Sequence, residues 1–227
     1  MSVTDLDERR SWWETRSETL LARATAREQE LIEQGMPAHG MTEWARAWLS
    51  ANNSQDYDAV DACVTPDVQW EHPTSYDQHV NGRKDFRTFC GQFWNAMPDL
   101  RCYPADDPWI DVQDGNARCC IPWTAIGTFT GPLHLWPCTS TSPKLAPNGA
   151  SFEFHGVDRY TFVRTTDGPG GFQVRHGKAD YDLLSLLHNV GLAPTLTSWK
   201  ARPLLLGLNA VAQAQRATRK AIERIRR

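Results

Sequence analysis

Residues 151–163 constrain the fold most, because their apolar and polar side chains alternate as in a long β-strand. A Pro-Asn-Gly turn at residues 147–149 precedes them. One face of such a strand would carry Phe152, Phe154, Asp158, Tyr160 and Phe162. A carboxyl group in this aromatic row is either ion-paired, here with Arg118 or Arg175, or desolvated. Desolvation raises a carboxyl pKa, which would suit Asp158 to act as a base near neutral pH.

The periodicity changes along the chain from helical to strand-like. Helical spacing predicts helices at 5–34, from a Thr42 cap to about 54, at 57–64, after Gly82, and at 181–190. Alternation predicts strands at 68–72, 100–103, 109–112, 116–129, 151–163 and 171–179. The strands at 109–112 and 116–129 are predicted to form a hairpin. This order indicates an α+β fold in which a curved, mainly antiparallel sheet wraps around helices. The open end of such a cone would hold a small apolar ligand.

Composition defines the broad class of protein. A length of 227 residues with 41 % apolar residues fits one domain with extensions. We expect it to be cytoplasmic, because no apolar run approaches the roughly 18 residues of a membrane span and no secretory pattern begins the chain. The six cysteines form no Cys-x-x-Cys pair and are expected to be reduced core residues. We expect no metal site, since His134 and Cys138 lack a third ligand nearby.

The charge is unevenly distributed along the chain. The net charge of the chain is −3. Residues 200–227 carry a net charge of +7, which leaves −10 for residues 1–199. We therefore predict an N-terminal helical extension at 1–40, one domain at 41–194 and a basic helical tail at 195–227. The tail also contains leucines, which favour docking on the domain or on the acidic N-terminal helix. Weak contact with an anionic membrane surface is the alternative, and no nucleic-acid partner is expected.

Two histidines are candidates to accompany Asp158. His72 and His176 each share a predicted strand face with apolar residues, so both could meet Asp158 in one pocket. A histidine there could orient the carboxylate or donate a hydrogen bond to an enolate oxygen. His155 alternates away from Asp158 and is left out of the site. The expected aromatic walls of the pocket are Trp70, Trp123, Phe154 and Tyr160.

Five segments resemble the SnoaL-like polyketide cyclases, within the superfamily of nuclear transport factor two, ketosteroid isomerase and limonene epoxide hydrolase. They are Trp-x-His-Pro at 70–73, Met-Pro-Asp-Leu at 97–100, Gly-Thr-Phe-Thr-Gly at 127–131, 149–162 with its Gly-x-Asp, and 182–194. The resemblance implies a cone-shaped α+β barrel that forms a homodimer and works without metal or organic cofactor.

The resemblance also implies a chemistry. In these cyclases a strand aspartate, matching Asp158 here, acts as general base on a proton next to a carbonyl, and the enolate closes a ring by aldol addition. Limonene epoxide hydrolases have an Arg-x-Asp on the long middle strand and a second aspartate after the last strand. The first motif reads Arg118-Cys119-Cys120 here, so only the second aspartate has a counterpart, which is Asp180. Ketosteroid isomerases carry their proton-shuttling aspartate on an early strand, about where this chain has His72, so their mechanism is not matched.

The sequence therefore predicts an enzyme that uses Asp158 as general base, with His72 and His176 in support, on a small apolar carbonyl compound. One alternative is isomerisation, dehydration or epoxide hydration in the same pocket, the last with Asp180 at the substrate. The other alternative is a ligand-binding or assembly module without chemistry.

Overall fold

A computed structural model describes residues 3–75, 78–113 and 116–193, with residues 199, 202, 203, 206, 207 and 210 beyond them. The helices of the described part are α1 (Val3–Glu33), α2 (Met41–Ser54), α3 (Tyr57–Cys63), α4 (Gly82–Ala96) and α5 (Leu183–Asn189). The strands are β1 (Val64–Glu71), β2 (Val80–Asn81), β3 (Arg101–Pro104), β4 (Trp109–Gln113), β5 (Asn116–Thr128), β6 (Leu133–His134), β7 (Lys144–Leu145), β8 (Ser151–Arg164) and β9 (Phe172–Asp180). No helix among these residues is both long enough and apolar enough to cross a membrane.

The large sheet has the strand order β2-β1-β9-β8-β5-β3, and β4 also pairs with β5. Its pairs are antiparallel except β1 and β9, which run parallel. The sheet is curved and does not close, because β2 and β3 stay unpaired with each other within the described residues. The predicted α+β class, the strand positions and the β4–β5 hairpin are confirmed. The cone is an open mixed sheet and not a closed barrel.

The inner face of the sheet is fixed by the long pairing of β5 with β8. Residues directly opposite each other in an antiparallel pair share a face. Ile121, Asp158 and Ala179 are such neighbours across β5, β8 and β9. Helix α2 packs on this face, where the Trp44 ring lies 5.1 Å from the Tyr160 ring, centroid to centroid. Helix α4 packs beside it, against β1 and β2.

The N-terminal helix α1 packs on its own domain, on the other face of the sheet. Trp13 and Leu6 are buried there with Tyr103 of β3 and Ile126 of β5. The Trp13 indole N–H also donates to the Glu153 carboxylate at 2.9 Å. The predicted helical extension is therefore part of the folded unit and covers the end of β8 that carries Glu153.

Helix α2 begins at Met41, with Gly40 as its N-cap residue and no side-chain cap from its own segment. The prediction that Thr42 caps this helix is wrong, because the Thr42 hydroxyl is buried and has no hydrogen-bond partner among the described residues. The buried Glu28 carboxylate of α1 takes that role, and its two oxygens accept from the Gly40 and Thr42 backbone N–H groups at 2.6 Å each. A negative group there also complements the positive end of the helix dipole.

The long loop at residues 130–149 connects β5 with β8. It contains the β6–β7 hairpin and packs on the end of α4, where the Thr130 and Gly131 N–H groups donate to the Ala96 carbonyl. All of its residues are described, and none of them lines the central cavity. The predicted basic tail at 195–227 lies almost wholly outside the described residues.

Glu28→Gln should destabilise the fold by about 1–3 kcal/mol, because an amide group replaces one buried, charge-assisted acceptor with a donor that faces an N–H group. Urea unfolding followed by circular dichroism measures the change. Glu30→Gln is the matched control: Glu30 is an exposed partner of Arg27, and the free energy of unfolding should change by less than about 0.5 kcal/mol. Equal effects of the two substitutions would contradict the capping role.

Candidate active site

A cavity of about 140 Å³ lies between the inner face of the sheet and helices α2 and α4. The sheet contributes residues of β1, β3, β5, β8 and β9 to its wall. The helices contribute an aromatic stripe that includes Trp48 from α2 and Phe86, Phe89, Phe93 and Trp94 from α4. This wall is mostly aromatic, and its polar groups are few. The chemistry available in the cavity therefore depends on a small number of side chains.

Asp158 is the acidic residue among the described residues of the wall. Its Oδ1 accepts from the Trp123 indole N–H at 2.8 Å, and its Oδ2 accepts from the Tyr160 hydroxyl at 2.7 Å. Part of its surface stays accessible, but the carboxyl group is enclosed by protein, and this loss of water raises its pKa from 3.8 to about 6. The two hydrogen bonds oppose the rise. At neutral pH the group is mostly ionised and can still take up a proton.

The Trp123 hydrogen bond exists because residue 156 is glycine. Trp123 is paired with Gly156 across the β5–β8 ladder, and its indole lies flat over the glycine. A Cβ atom at residue 156 would come within 2.4 Å of Trp123 Cζ2. The empty position lets the indole N–H reach the carboxylate two residues along β8. This explains physically why a Gly-x-Asp is useful on this strand.

The Tyr160 side chain is held in place by helix α2. Its hydroxyl donates to Asp158, and its ring packs edge to face against Trp48 with the ring centroids 6.1 Å apart. Burial and the neighbouring carboxylate raise the pKa of Tyr160 well above 10, so the phenol stays protonated and keeps its donor role. Asp158 is thus oriented by one donor from the sheet and by one that α2 holds in place.

His72 also lines the cavity, directly after β1. Its Nδ1 accepts from the Thr74 backbone N–H at 3.3 Å and lies 2.8 Å from the Thr74 hydroxyl. Since a backbone N–H can only donate, the neutral ring carries its proton on Nε2. Burial among Phe89, Phe93 and Tyr181 lowers the pKa of His72 to about 3. His72 is a neutral hydrogen-bond donor at physiological pH.

The predicted walls Trp70, Trp123, Phe154 and Tyr160 all line the cavity. Trp70 packs over Gly177 of β9, where a Cβ atom would come within 2.1 Å of its ring. Tyr181 was missed, although its hydroxyl lies 3.5 Å from His72 Nδ1. Alternation along β9 places residues 177 and 179 inward, so residue 181 could have been added had the register been known. The α4 side chains of the wall were missed too, because helical periodicity marks an apolar face but not the cavity that it borders.

Two predicted site residues lie outside the cavity. The prediction that His176 faces Asp158 is wrong, because a register shift in β9 leaves both Arg175 and His176 exposed, and the inward alternation resumes at Gly177. Asp180 alternates outward and pairs with Arg159 on the outer face. The alternative that Asp158 is ion-paired with Arg175 is wrong as well, since Arg175 pairs with Asp67. His155 points away as predicted and bonds Thr124.

The cavity wall offers no strongly charged partner to a ligand apart from Asp158. Among the described residues that line it, none is Lys or Arg. The described part of the chain also contains no group of three or more His, Cys, Asp or Glu side chains arranged to hold a metal ion. The thiol of Cys102 lines the cavity too, and burial raises its pKa to about 12. What the arrangement can do is transfer a proton at Asp158 and donate hydrogen bonds to a neutral molecule.

The curved sheet packed on helices around an apolar cavity defines the α+β class of this domain, and the comparison of sequences agrees with it. The sequence model of the SnoaL-like domain family matches residues 45–168, more than half of the chain. The protein belongs to the SnoaL-like domain family. No curated protein matches the chain significantly.

Solved structures of similar shape come from several bacteria. A protein of Jannaschia sp. CCS1, assigned as a SnoaL-like polyketide cyclase, is 17 % identical, with 67 % of this chain and 92 % of that chain covered and a TM-score of 0.47. AclR of Streptomyces galilaeus, assigned as a hydroxylase, is 18 % identical over 76 % of this chain and 94 % of that chain, with a TM-score of 0.48. A nuclear transport factor 2-like protein of Salmonella enterica is 14 % identical over 62 % and 87 %, with a TM-score of 0.47.

Tyr160→Phe should raise the pKa of Asp158 above its value of about 6, because the substitution removes a donor that stabilises the ionised carboxylate. Titration of the side-chain carboxyl carbon by NMR, assigned with Asp158→Asn, measures the change. Tyr103→Phe is the matched control, since Tyr103 lies on the other face of the sheet and bonds Glu14. An Asp158 pKa that falls in Tyr160→Phe, or moves equally in Tyr103→Phe, would contradict the assignment.

The raised pKa of Asp158 should also appear in the pH dependence of stability. The folded protein holds this proton up to about pH 6, whereas the unfolded chain releases it near 3.8. Stability relative to Asp158→Asn should therefore fall by up to about 3 kcal/mol between about pH 4 and pH 7. Denaturant unfolding of both proteins across this range measures the difference, in which the opposite contribution of His72 cancels. A pH-independent difference would show that burial leaves the Asp158 pKa unchanged.

Proposed function

We propose that the protein is a cofactor-free enzyme that uses Asp158 as general base on a carbon acid next to a carbonyl group. One observation carries the proposal: a carboxyl group whose pKa is raised to about 6 lies on the wall of an aromatic cavity and is held by two donors. A base near neutral pKa is both largely ionised and basic enough to accept a proton. The family membership and the sequence resemblance to polyketide cyclases support the same chemistry.

The geometry of Asp158 suits proton abstraction. Each carboxylate oxygen accepts one hydrogen bond from the protein, which leaves further lone pairs available on both oxygens. The two donors fix the plane of the carboxylate, so a substrate carbon would meet a group that does not have to reorient. Enclosure by aromatic side chains keeps water from solvating the charged base, and this preserves its basicity.

His72 is suited to stabilise the oxygen of the enolate that forms. A neutral imidazole with its proton on Nε2 donates a hydrogen bond without adding a positive charge. Its orientation is set by Thr74, and its ring is packed between Phe89 and Phe93. We assign Asp158 the role of base and His72 that of hydrogen-bond donor. The sequence-based roles of His176 and Asp180 are not retained, because both side chains lie on the outer face.

The proposed reaction is an aldol cyclisation. Asp158 takes a proton from the carbon beside one carbonyl group, and the enolate carbon forms a bond to the carbon of a second carbonyl group in the same molecule. The resulting alkoxide takes the proton back from the Asp158 carboxylic acid, so no other reactant is consumed. Isomerisation differs only in the last step, where the proton returns to a different carbon. The homodimer and the cytoplasmic location stay predictions from sequence.

Exchange of α-protons for deuterium tests the base directly. In deuterated buffer, the wild type should accelerate α-proton exchange of 2-cyclohexenone, observed by proton NMR, with a rate that rises as Asp158 ionises near pH 6. Asp158→Asn should lower the rate by about 100-fold or more, because the amide is not a base. His72→Gln should lower it less.

Asp180→Asn is the matched control for this experiment. It makes the same chemical change one strand away, on a side chain that faces outward and pairs with Arg159. It should leave the exchange rate within about twofold, with only a small shift of the pH profile through its field at Asp158. Exchange that survives in Asp158→Asn, or that is lost in Asp180→Asn, would overturn the proposed base.

A further inference from the structure

The size of the cavity limits what the site can accept. Its volume is about 140 Å³. An apolar protein cavity of about 150 Å³ takes up a single benzene-sized molecule, and pockets for larger ligands usually measure about 300–1,000 Å³. A molecule of two or three fused rings would therefore extend out of the cavity or need the wall to move. A molecule with one six-membered ring would not.

The closed end of the cavity resists such movement. Trp70 lies 5.0 Å from Phe86 and 5.8 Å from Trp48, centroid to centroid, and all three side chains are buried. Trp70 is also pressed onto Gly177, so it has no space to retreat toward β9. Densely packed aromatic rings have few alternative rotamers, and their displacement would open unfilled space elsewhere. The volume at this end is thus fixed by interlocking rings.

The cavity also disfavours an anionic ligand. None of its described wall residues is Lys or Arg, so an anionic ligand would lose water without gaining a counter-ion and would lie beside Asp158. Burial raises the pKa of Asp158, which indicates that the surroundings of the cavity oppose a negative charge.

From the volume, the rigid aromatic end and the lack of a cationic side chain on the described wall, we infer that the cavity binds a carbonyl compound of single-ring size without negative charge, in preference to fused-ring polyketides. Such a compound is either a six-membered cyclic ketone or the open-chain diketone that closes to one. This inference rests on the proposed function for the reaction at the carbonyl group. The limits of size and charge follow from the wall alone.

A panel of probes separates these limits. The uncharged single-ring probe is 2-cyclohexenone, the fused-ring probes are α-tetralone and anthrone, and the anionic single-ring probe is cyclohexanecarboxylate. Binding is measured by saturation-transfer NMR and by tryptophan fluorescence. The dissociation constant for 2-cyclohexenone should be at least about tenfold lower than for every other probe. Binding of a fused-ring or anionic probe as tightly as 2-cyclohexenone overturns the inference.

A cavity-enlarging variant tests whether volume is the cause. Phe93 lines the cavity and is only partly buried, so Phe93→Ala should fold and should gain affinity for α-tetralone. Trp12→Ala truncates an exposed aromatic side chain on α1, away from the cavity, and should gain none. Circular dichroism checks that both variants fold. A folded Phe93→Ala protein that still rejects α-tetralone overturns the inference that the wall volume sets the limit.

The reaction on heptane-2,6-dione distinguishes failure of the inference from failure of the proposed function. The enolate at one end of this diketone attacks the carbonyl carbon at the other end and forms one six-membered ring, 3-hydroxy-3-methylcyclohexanone, with no atoms gained or lost. If the wild type closes this ring and Asp158→Asn does not, the result supports both the inference and the proposed function. Selective binding of 2-cyclohexenone without exchange or ring closure overturns the proposed function and leaves the inference standing. Catalysed exchange on α-tetralone but not on 2-cyclohexenone overturns the inference and leaves the proposed function standing.

Discussion

The removal of the Asp158 carboxyl group from water governs the candidate site. Burial alone would push its pKa further upward and leave it neutral, and hydrogen bonds alone would push the pKa below the ordinary value. The structure combines enclosure by aromatic rings with one donor on each oxygen, and the resulting pKa is about 6. A weaker base would not take a proton from carbon, and a stronger one would already hold a proton at neutral pH.

This balance depends on contacts that reach far beyond the cavity. The donor Trp123 requires the missing side chain at Gly156, and the donor Tyr160 is packed against Trp44 and Trp48 of α2. Helix α2 begins where Glu28 of α1 accepts its first free N–H groups. The N-terminal helix is thus linked to the orientation of the carboxylate through the hydrogen bonds of Glu28 and the aromatic rings that α2 packs on Tyr160. Glu28 lies outside the part of the chain that the family sequence model matches.

Much of this fold could be predicted from the sequence, because the strands and helices are long and strongly periodic. The alternation in β8 placed Asp158 inward without any knowledge of its neighbours. His72 was found in the same way, although it lies just past its strand. His176 was misplaced because a single extra residue in β9 reverses the alternation, and nothing in the local pattern marks where that residue lies. Glu28 and Trp48 were missed as functional contributors because their partners are set by helix packing, which periodicity does not reveal.

The few polar side chains on the cavity wall favour enolate chemistry over hydration of an epoxide. Hydration of an epoxide needs a base for water and an acid for the leaving oxygen, but the acid Asp180 that could have supplied a second carboxyl group faces outward. The pKa of His72 is too low for it to carry a transferable proton at neutral pH, so His72 contributes a hydrogen bond. With Asp158 as the acid-base group on the described wall, the carboxyl group that removes a proton is also the one that returns it. Enolate chemistry needs only this single group, because the alkoxide or carbon that receives the proton forms in the same small cavity.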